Sequence, residues 1–186
     1  MKKTYLIICL LALTAGLGCK KAKSVADIEE EIPYHMETPT TSLTIDTTIF
    51  KPTFPLIFPM PAYPIPTLSK QIIAQYNTSA NKLNSVRLTQ MAMTLAQPAT
   101  GNFNFLSAVN VSITAGSLPM IRVAYNNAVP RNTKTVTLTD TTGDLKAYFL
   151  QDTINVYITG TFIDYPPDSA VVDVNCSFHM SANPLN

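Results

Sequence analysis

Few side chains in this sequence could make or break bonds. Its 186 residues hold three cysteines, two histidines and no tryptophan. Neither His35 nor His179 has His, Cys or Asp neighbours at a spacing that suits zinc, calcium or iron, so no metal and no cofactor is expected. A hydrolytic carboxylate pair would have to come from Asp46, Asp140, Asp144, Asp152, Asp164, Asp168 and Asp173, because no glutamate follows Glu37. Most of these stand at expected turns or strand starts, where aspartate commonly bonds the backbone. There is no glycine-rich phosphate loop and no Gly-x-Ser-x-Gly elbow. No catalytic residue is assigned, although the tyrosines leave glycan stacking open.

The remaining reactive group is Cys19. Lys2 and Lys3 give a basic start, Tyr5 to Leu13 form an uncharged apolar run, and Thr14 to Gly18 are mostly small. This is the pattern of a secretory signal peptide over 1–18, too short for the roughly 20 apolar residues of a spanning helix. Its end resembles the lipobox of bacterial lipoproteins, with Gly16 where that motif usually carries leucine. The resemblance implies export, acylation of Cys19 and a membrane anchor. Lys20 directly after the cysteine implies delivery to the outer membrane, the periplasmic or surface face being left open.

Loss of the signal removes two of the 13 basic residues and none of the 12 acidic ones, turning the formal charge from +1 to −1. Nothing in this balance points to nucleic acid. Cys9 goes with the signal and Cys19 would carry lipid. Cys176 is then the last free thiol, and no disulfide is available. It alternates with Val172, Val174, Phe178 and Met180, which places it in a core rather than at a reaction centre. His179 has the opposite parity and is expected to face outward with Asp173, Asn175 and Ser177.

These residues need a scaffold, and period-two alternation supplies most of it. Residues 19–40 are charged and aperiodic, and read as a flexible tether. The domain is expected over 41–186, opening with a strand from Ser42 to Phe50. The segment 51–67 interleaves Pro52, Pro55, Pro59, Pro61, Pro64 and Pro66 with Phe54, Phe58, Tyr63 and aliphatics. Proline removes strand donors, so this stretch should be edge-like or looped. Either Phe54, Phe58 and Tyr63 contact a partner, or the segment covers an open face of the domain, and the second is favoured. Thr67 to Asn84 reads as helix broken at Asn77-Thr78-Ser79, with Leu68, Ile72, Ile73 and Tyr76 on one face and a second turn over Ala80 to Leu83.

From Ser85 the period is two. Val86 and Leu88 have one parity, Met91, Met93 and Leu95 the other, which a bulge near Thr89-Gln90 would reconcile. Further strands are expected over Phe105 to Ala115, Leu118 to Asn126, Lys134 to Thr139, Thr153 to Ile163 and Ala170 to Met180, with a helical turn from Asp144 to Leu150. Val111, Val123, Ile158 and Val174 should point inward, and Asn110, Ser112, Thr159 and Asn175 outward. About seven short strands with one or two short helices give an all-β, antiparallel β-sandwich of immunoglobulin-like type.

From Leu68 onward, the order of a helix, Leu83-Asn84-Ser85-Val86-Arg87-Leu88, Asn102-Phe103-Asn104-Phe105-Leu106, Ala124-Tyr125 and Asp144-Leu145-Lys146-Ala147-Tyr148 resembles β-sandwich lipoproteins of the Bacteroidota. That resemblance implies a sandwich in the cell envelope and carries over no catalytic residue. Asp46-Thr47-Thr48, Asp140-Thr141-Thr142, Asp152-Thr153-Ile154 and Asp168-Ser169-Ala170 also resemble O-glycosylation acceptors of exported Bacteroidota proteins, making Thr47, Thr141, Thr153 and Ser169 candidates. The expected function is a lipid-anchored, non-enzymatic module that binds an envelope protein or a glycan. The alternatives are a carbohydrate-active hydrolase using Asp carboxylates and a structural subunit of an outer-membrane complex.

Overall fold

Alternating side chains along the chain produce nine antiparallel strands in the computed structural model, which describes residues 26–37, 53–141, 143–167 and 170–183. The strands are β1 (Ala26–Glu37), β2 (Leu56–Pro59), β3 (Tyr63–Pro66), β4 (Leu83–Gln97), β5 (Leu106–Thr114), β6 (Ile121–Asn126), β7 (Thr135–Asp140), β8 (Thr153–Phe162) and β9 (Val171–Ala182). Two short α-helices, α1 (Ser69–Gln75) and α2 (Lys146–Phe149), and a 3-10 turn at Ala80–Lys82, where a second helical turn is expected, complete the described residues. Cys19, Thr47, Thr142, Ser169 and the strand expected over Ser42 to Phe50 lie outside the described residues.

The pairing follows one rule. The chain doubles back between β5 and β6, so that β5 pairs β6, β4 pairs β7, β2 and β3 pair β8, and β1 pairs β9. This long ladder then rolls up, adding β4 to β9 and β5 to β8. β2 and β3 act as one interrupted edge strand, since the Met60 amide between them still donates to the Ile158 carbonyl at 2.8 Å. Two rows result, β1-β9-β4-β7 and β2/β3-β8-β5-β6, joined only where Ala124 and Tyr125 meet Asp140 and Thr139. The antiparallel, sandwich-like β fold expected from the sequence is present. Its strand order is that of a jelly roll rather than the immunoglobulin order, because alternation identifies strands without choosing their neighbours.

The inward parities agree with the sequence. Val111, Val123, Ile158 and Val174 are buried, Asn175 is exposed, and Asn110, Ser112 and Thr159 are half-buried on the other face. The register of β4 against β9 shifts between Leu88 and Gln90, the bulge that lets Val86, Leu88, Met91, Met93 and Leu95 all face the core. Two local expectations differ. Residues 26–37, read as part of the tether, form β1 and pair along their length with β9, Ala26 opposite Ala182 and Glu37 opposite Val171. The glutamates there mask any alternation, while the backbone satisfies what would otherwise be a bare edge of β9.

The apolar face expected of helix α1 is the second, since only part of it is buried, although the helix ends where expected. Asn77 takes φ 51°, the Asn77 amide donates to the Ala74 carbonyl, and the Thr78 amide donates to the Ile73 carbonyl. This pair of bonds closes the helix at its predicted break. Ile72 and Ile73 are buried, whereas Leu68 and Tyr76 remain exposed.

Candidate functional site

Three of the carboxylates go into separate structural bonds. Asp144 Oδ1 accepts from the Val86 and Lys146 amides, each at 3.0 Å, and the Leu145 amide donates to the Val86 carbonyl at 2.7 Å. The 143–145 loop thereby takes the place of a neighbouring strand along this part of β4. Asp152 pairs with Lys70 at 2.7 Å on the surface, and Asp164 accepts from the Tyr165 amide at 2.8 Å. No cluster of three or more metal-ligating side chains occurs among the described residues.

His179 is half-buried on β9, opposite Arg87 of β4 and Glu29 of β1. Cys176 also lies on β9, where burial pushes its thiol up from 9.0 to about 12. A thiol that holds its proton so firmly is a poor nucleophile.

The proline-rich flank turns its aromatics inward. Phe54, Leu56, Phe58, Met60 and Tyr63 are half-buried against the core, while Pro55, Pro59, Pro64, Pro66 and Ile57 face solvent. Phe58 meets Phe162 edge-on at 6.2 Å between ring centres, and Phe54 meets Tyr165 at 5.1 Å. One parity explains both facts. The Met60 amide donates to Ile158 and the Thr67 amide to the Asp152 carbonyl, so inward side chains share the parity whose amides point at β8. The prolines occupy the parity whose missing N–H would point to solvent.

Between the two rows lies a cavity of about 80 Å³. Its buried wall includes Val86, Leu88, Val111, Val123, Ile158 and Val174; its less buried wall includes Tyr63, Ile65, Ile154, Val156 and Phe178. Cys176 is the one thiol in its lining, held in its neutral form by burial, and the surface the cavity presents is apolar. A void of this size in an apolar core costs about 2 kcal/mol, at about 24 cal/mol per Å³. An empty apolar cavity stays dry and accepts apolar guests.

A second hollow, a cleft of about 200 Å³, is bounded by Leu88 of β4, Ile121, Arg122 and Val123 of β6, and Thr141, Gly143 and Leu145 of the segment after β7. Leu88, Val123 and Leu145 line both spaces, so three aliphatic side chains divide the interior from the cleft. β6 carries a bulge here: Val111 pairs Ala124 while Ser112 pairs Arg122, leaving Val123 as the extra residue. Val123 and Ala124 are consequently both buried, and Arg122 and Tyr125 share the outer face. The Arg122 guanidinium sits 4.6 Å from the centre of the Tyr125 ring, and its Nη1 donates to Asn110 Oδ1 at 3.4 Å. No carboxylate among the described residues pairs with it.

Neither hollow was legible in the sequence. The one available signal was the mismatch between the buried Val123 and Ala124, two neighbours that regular alternation would place on opposite faces. Of the candidate modification sites, Thr153 is exposed at the start of β8, whereas the half-buried Thr141 hydroxyl donates to the Arg122 carbonyl. No helix among the described residues is long and apolar enough to cross a membrane.

No known protein family and no curated protein matches the chain. Four solved chains do, among them one of Desmodium yellow mottle tymovirus, 10% identical over 87% of this chain and 91% of its own. At a TM-score of 0.27, that likeness carries no argument about fold or function.

Proposed function

We propose that this chain is an exported, Cys19-acylated envelope protein whose domain is a non-enzymatic binding module, with the cavity between its rows as the binding site. The observation that carries the binding reading is the apolar space walled by both rows, in which the Cys176 thiol is held neutral. Such a space suits an apolar guest and offers no group to activate water or attack a carbonyl. The hydrolase alternative loses support from Asp144, Asp152 and Asp164, whose oxygens are engaged in separate structural contacts.

The anchor rests on the sequence pattern around Cys19 and is tested by labelling cells with a radioactive fatty acid. Label should enter the wild-type protein and be absent from Cys19→Ser; label in both discards the lipoprotein assignment. The cavity is tested by recording methyl NMR spectra under xenon pressure. Val111, Ile158 and Val174 methyls should shift progressively, and unchanged spectra reject the cavity as a binding space.

A second reading, contact with an envelope protein or glycan through the proline-rich flank, is supported by the exposure of Ile57, at 69%. Its contact residues would be Ile57 and the outward prolines. Phe54, Phe58 and Tyr63 have the opposite parity.

A further inference from the structure

We infer that the cavity and the Arg122 cleft form one composite site for a single-chain anionic amphiphile, its alkyl chain between the rows and its acidic head on Arg122. This inference rests on the binding-module reading and names its ligand class. Three observations lead to it. The interior surface is apolar, which selects hydrocarbon. The outer cleft has Arg122 in its wall, and the guanidinium of that residue has no carboxylate partner among the described residues and only one long hydrogen bond, to Asn110. A planar guanidinium with donors to spare is suited to a carboxylate or phosphate.

The two spaces also share a wall. Leu88, Val123 and Leu145 belong to the walls of both, so a chain needs only rotamer changes of three aliphatic side chains to pass from cleft to interior. The local backbone favours this route. The two rows are joined by the two residue pairs between β6 and β7, and the loop after β7, which bonds to Val86 of β4, contributes Leu145. Gly143, on the cleft wall, has open space where a side chain would stand. Asp140, opposite Ala124, makes no ion pair with Arg122. The stacking of Arg122 on Tyr125 leaves the charge of the guanidinium unneutralised.

The test uses the full chain in phosphatidylcholine nanodiscs, with empty discs as reference, titrated separately with octanoate and 1-octanol. Methyl NMR follows Leu88, Val111, Val123 and Leu145, and Arg122→Gln is titrated alongside. Both compounds should shift the interior methyls, with octanoate binding about tenfold more tightly, the gain of roughly one charge-assisted contact. Arg122→Gln should remove that advantage and leave octanol affinity unchanged. Equal affinities in the wild type, or an octanoate affinity insensitive to Arg122→Gln, overturns the composite site while the cavity stands. Octanoate that shifts signals around Arg122 but not the interior methyls overturns it as well. If neither compound shifts the interior methyls, the binding-module reading falls with it.

Discussion

Strand β8 has two flanks built from different sequences. On one side β5 alternates apolar and polar residues and buries Val109, Val111 and Ile113; on the other, β2 and β3 alternate half-buried apolar residues with prolines. Both flanks pack inward with the same period, so proline is no obstacle to covering the core. It is an obstacle to extending the sheet. Proline in the outward parity leaves every donor needed by β8 in place and removes those a further strand would use. The proline flank is a sheet edge that still carries core side chains, and the comparison predicts how each flank fails.

The largest effect should come from Phe54→Ser, Phe58→Ser and Tyr63→Ser combined. Three half-buried aromatics at about half the usual 3–5 kcal/mol of a full core truncation give a loss of about 5 kcal/mol, read as a fall in the urea midpoint. If the melting temperature is unchanged, the flank is not a cover and exposed contact becomes the better reading. On the other flank, Ile158→Ala empties a buried position facing the cavity. A loss of about 2–5 kcal/mol is expected, toward the low end because the neighbouring void already deprives Ile158 of some contacts. A cost well above the triple substitution would reverse the ranking of the two flanks.

The contrast also shows what the sequence can carry. Strand parities, the bulge at Leu88 to Gln90 and the break at Asn77 are local, since each depends on side chains within a few residues, and each was readable. The doubling back of the chain between β5 and β6 depends on pairings as distant as Ala26 with Ala182, which no local pattern encodes. β1 went unread for a related reason, because its sequence is rich in glutamate and its strand character comes from the open edge of β9. The cavity is a remainder of packing between two rows and has no signature in the chain. The Arg122 site requires both the bulge and the loop after β7, so it was invisible as well.

Cys176 reports whether the proline flank seals the interior. Tyr63 and Ile65 of that flank line the same cavity as Cys176. The native thiol should therefore react slowly with a disulfide reagent, and Tyr63→Ser should speed the reaction at least tenfold, roughly the effect of losing one cover side chain. A fast wild-type reaction would mean the flank leaves the cavity open.

The same group gives a pH signature. Its folded value is raised, to about 12 from 9.0, so above 9.0 the unfolded chain releases a proton that the folded chain keeps. The contribution is fully present below 9.0 and is lost as pH rises toward about 12, by about 1.4 kcal/mol per pH unit. Chemical denaturation at stepped alkaline pH should show this slope in the wild type and a shallower one in Cys176→Ala. Equal slopes would show that the thiol is in contact with water.

The smallest energetic effect and the sharpest qualitative one belong to the prolines themselves. Pro59, Pro64 and Pro66 are exposed, and their ring nitrogens stand where an amide would point away from β8. Replacing all three with Thr removes little packing. It frees the unfolded chain, which costs about 0.4–1 kcal/mol per site, and gains β propensity in partial return. Thermal stability should change by about 2 kcal/mol or less. Association should change far more, because the edge now offers three new donors in register along β8's outer neighbour. A hydrogen-bonding edge of that kind recruits a second edge, most readily its own copy. Sedimentation velocity over rising concentration should show a dimer or larger species in the Thr variant where the wild type, with the same side chains turned inward, shows none from this edge. A variant that keeps the wild-type sedimentation coefficient at every concentration would mean that the exposed Ile57 and the twist of β2 and β3, rather than the prolines, end the sheet.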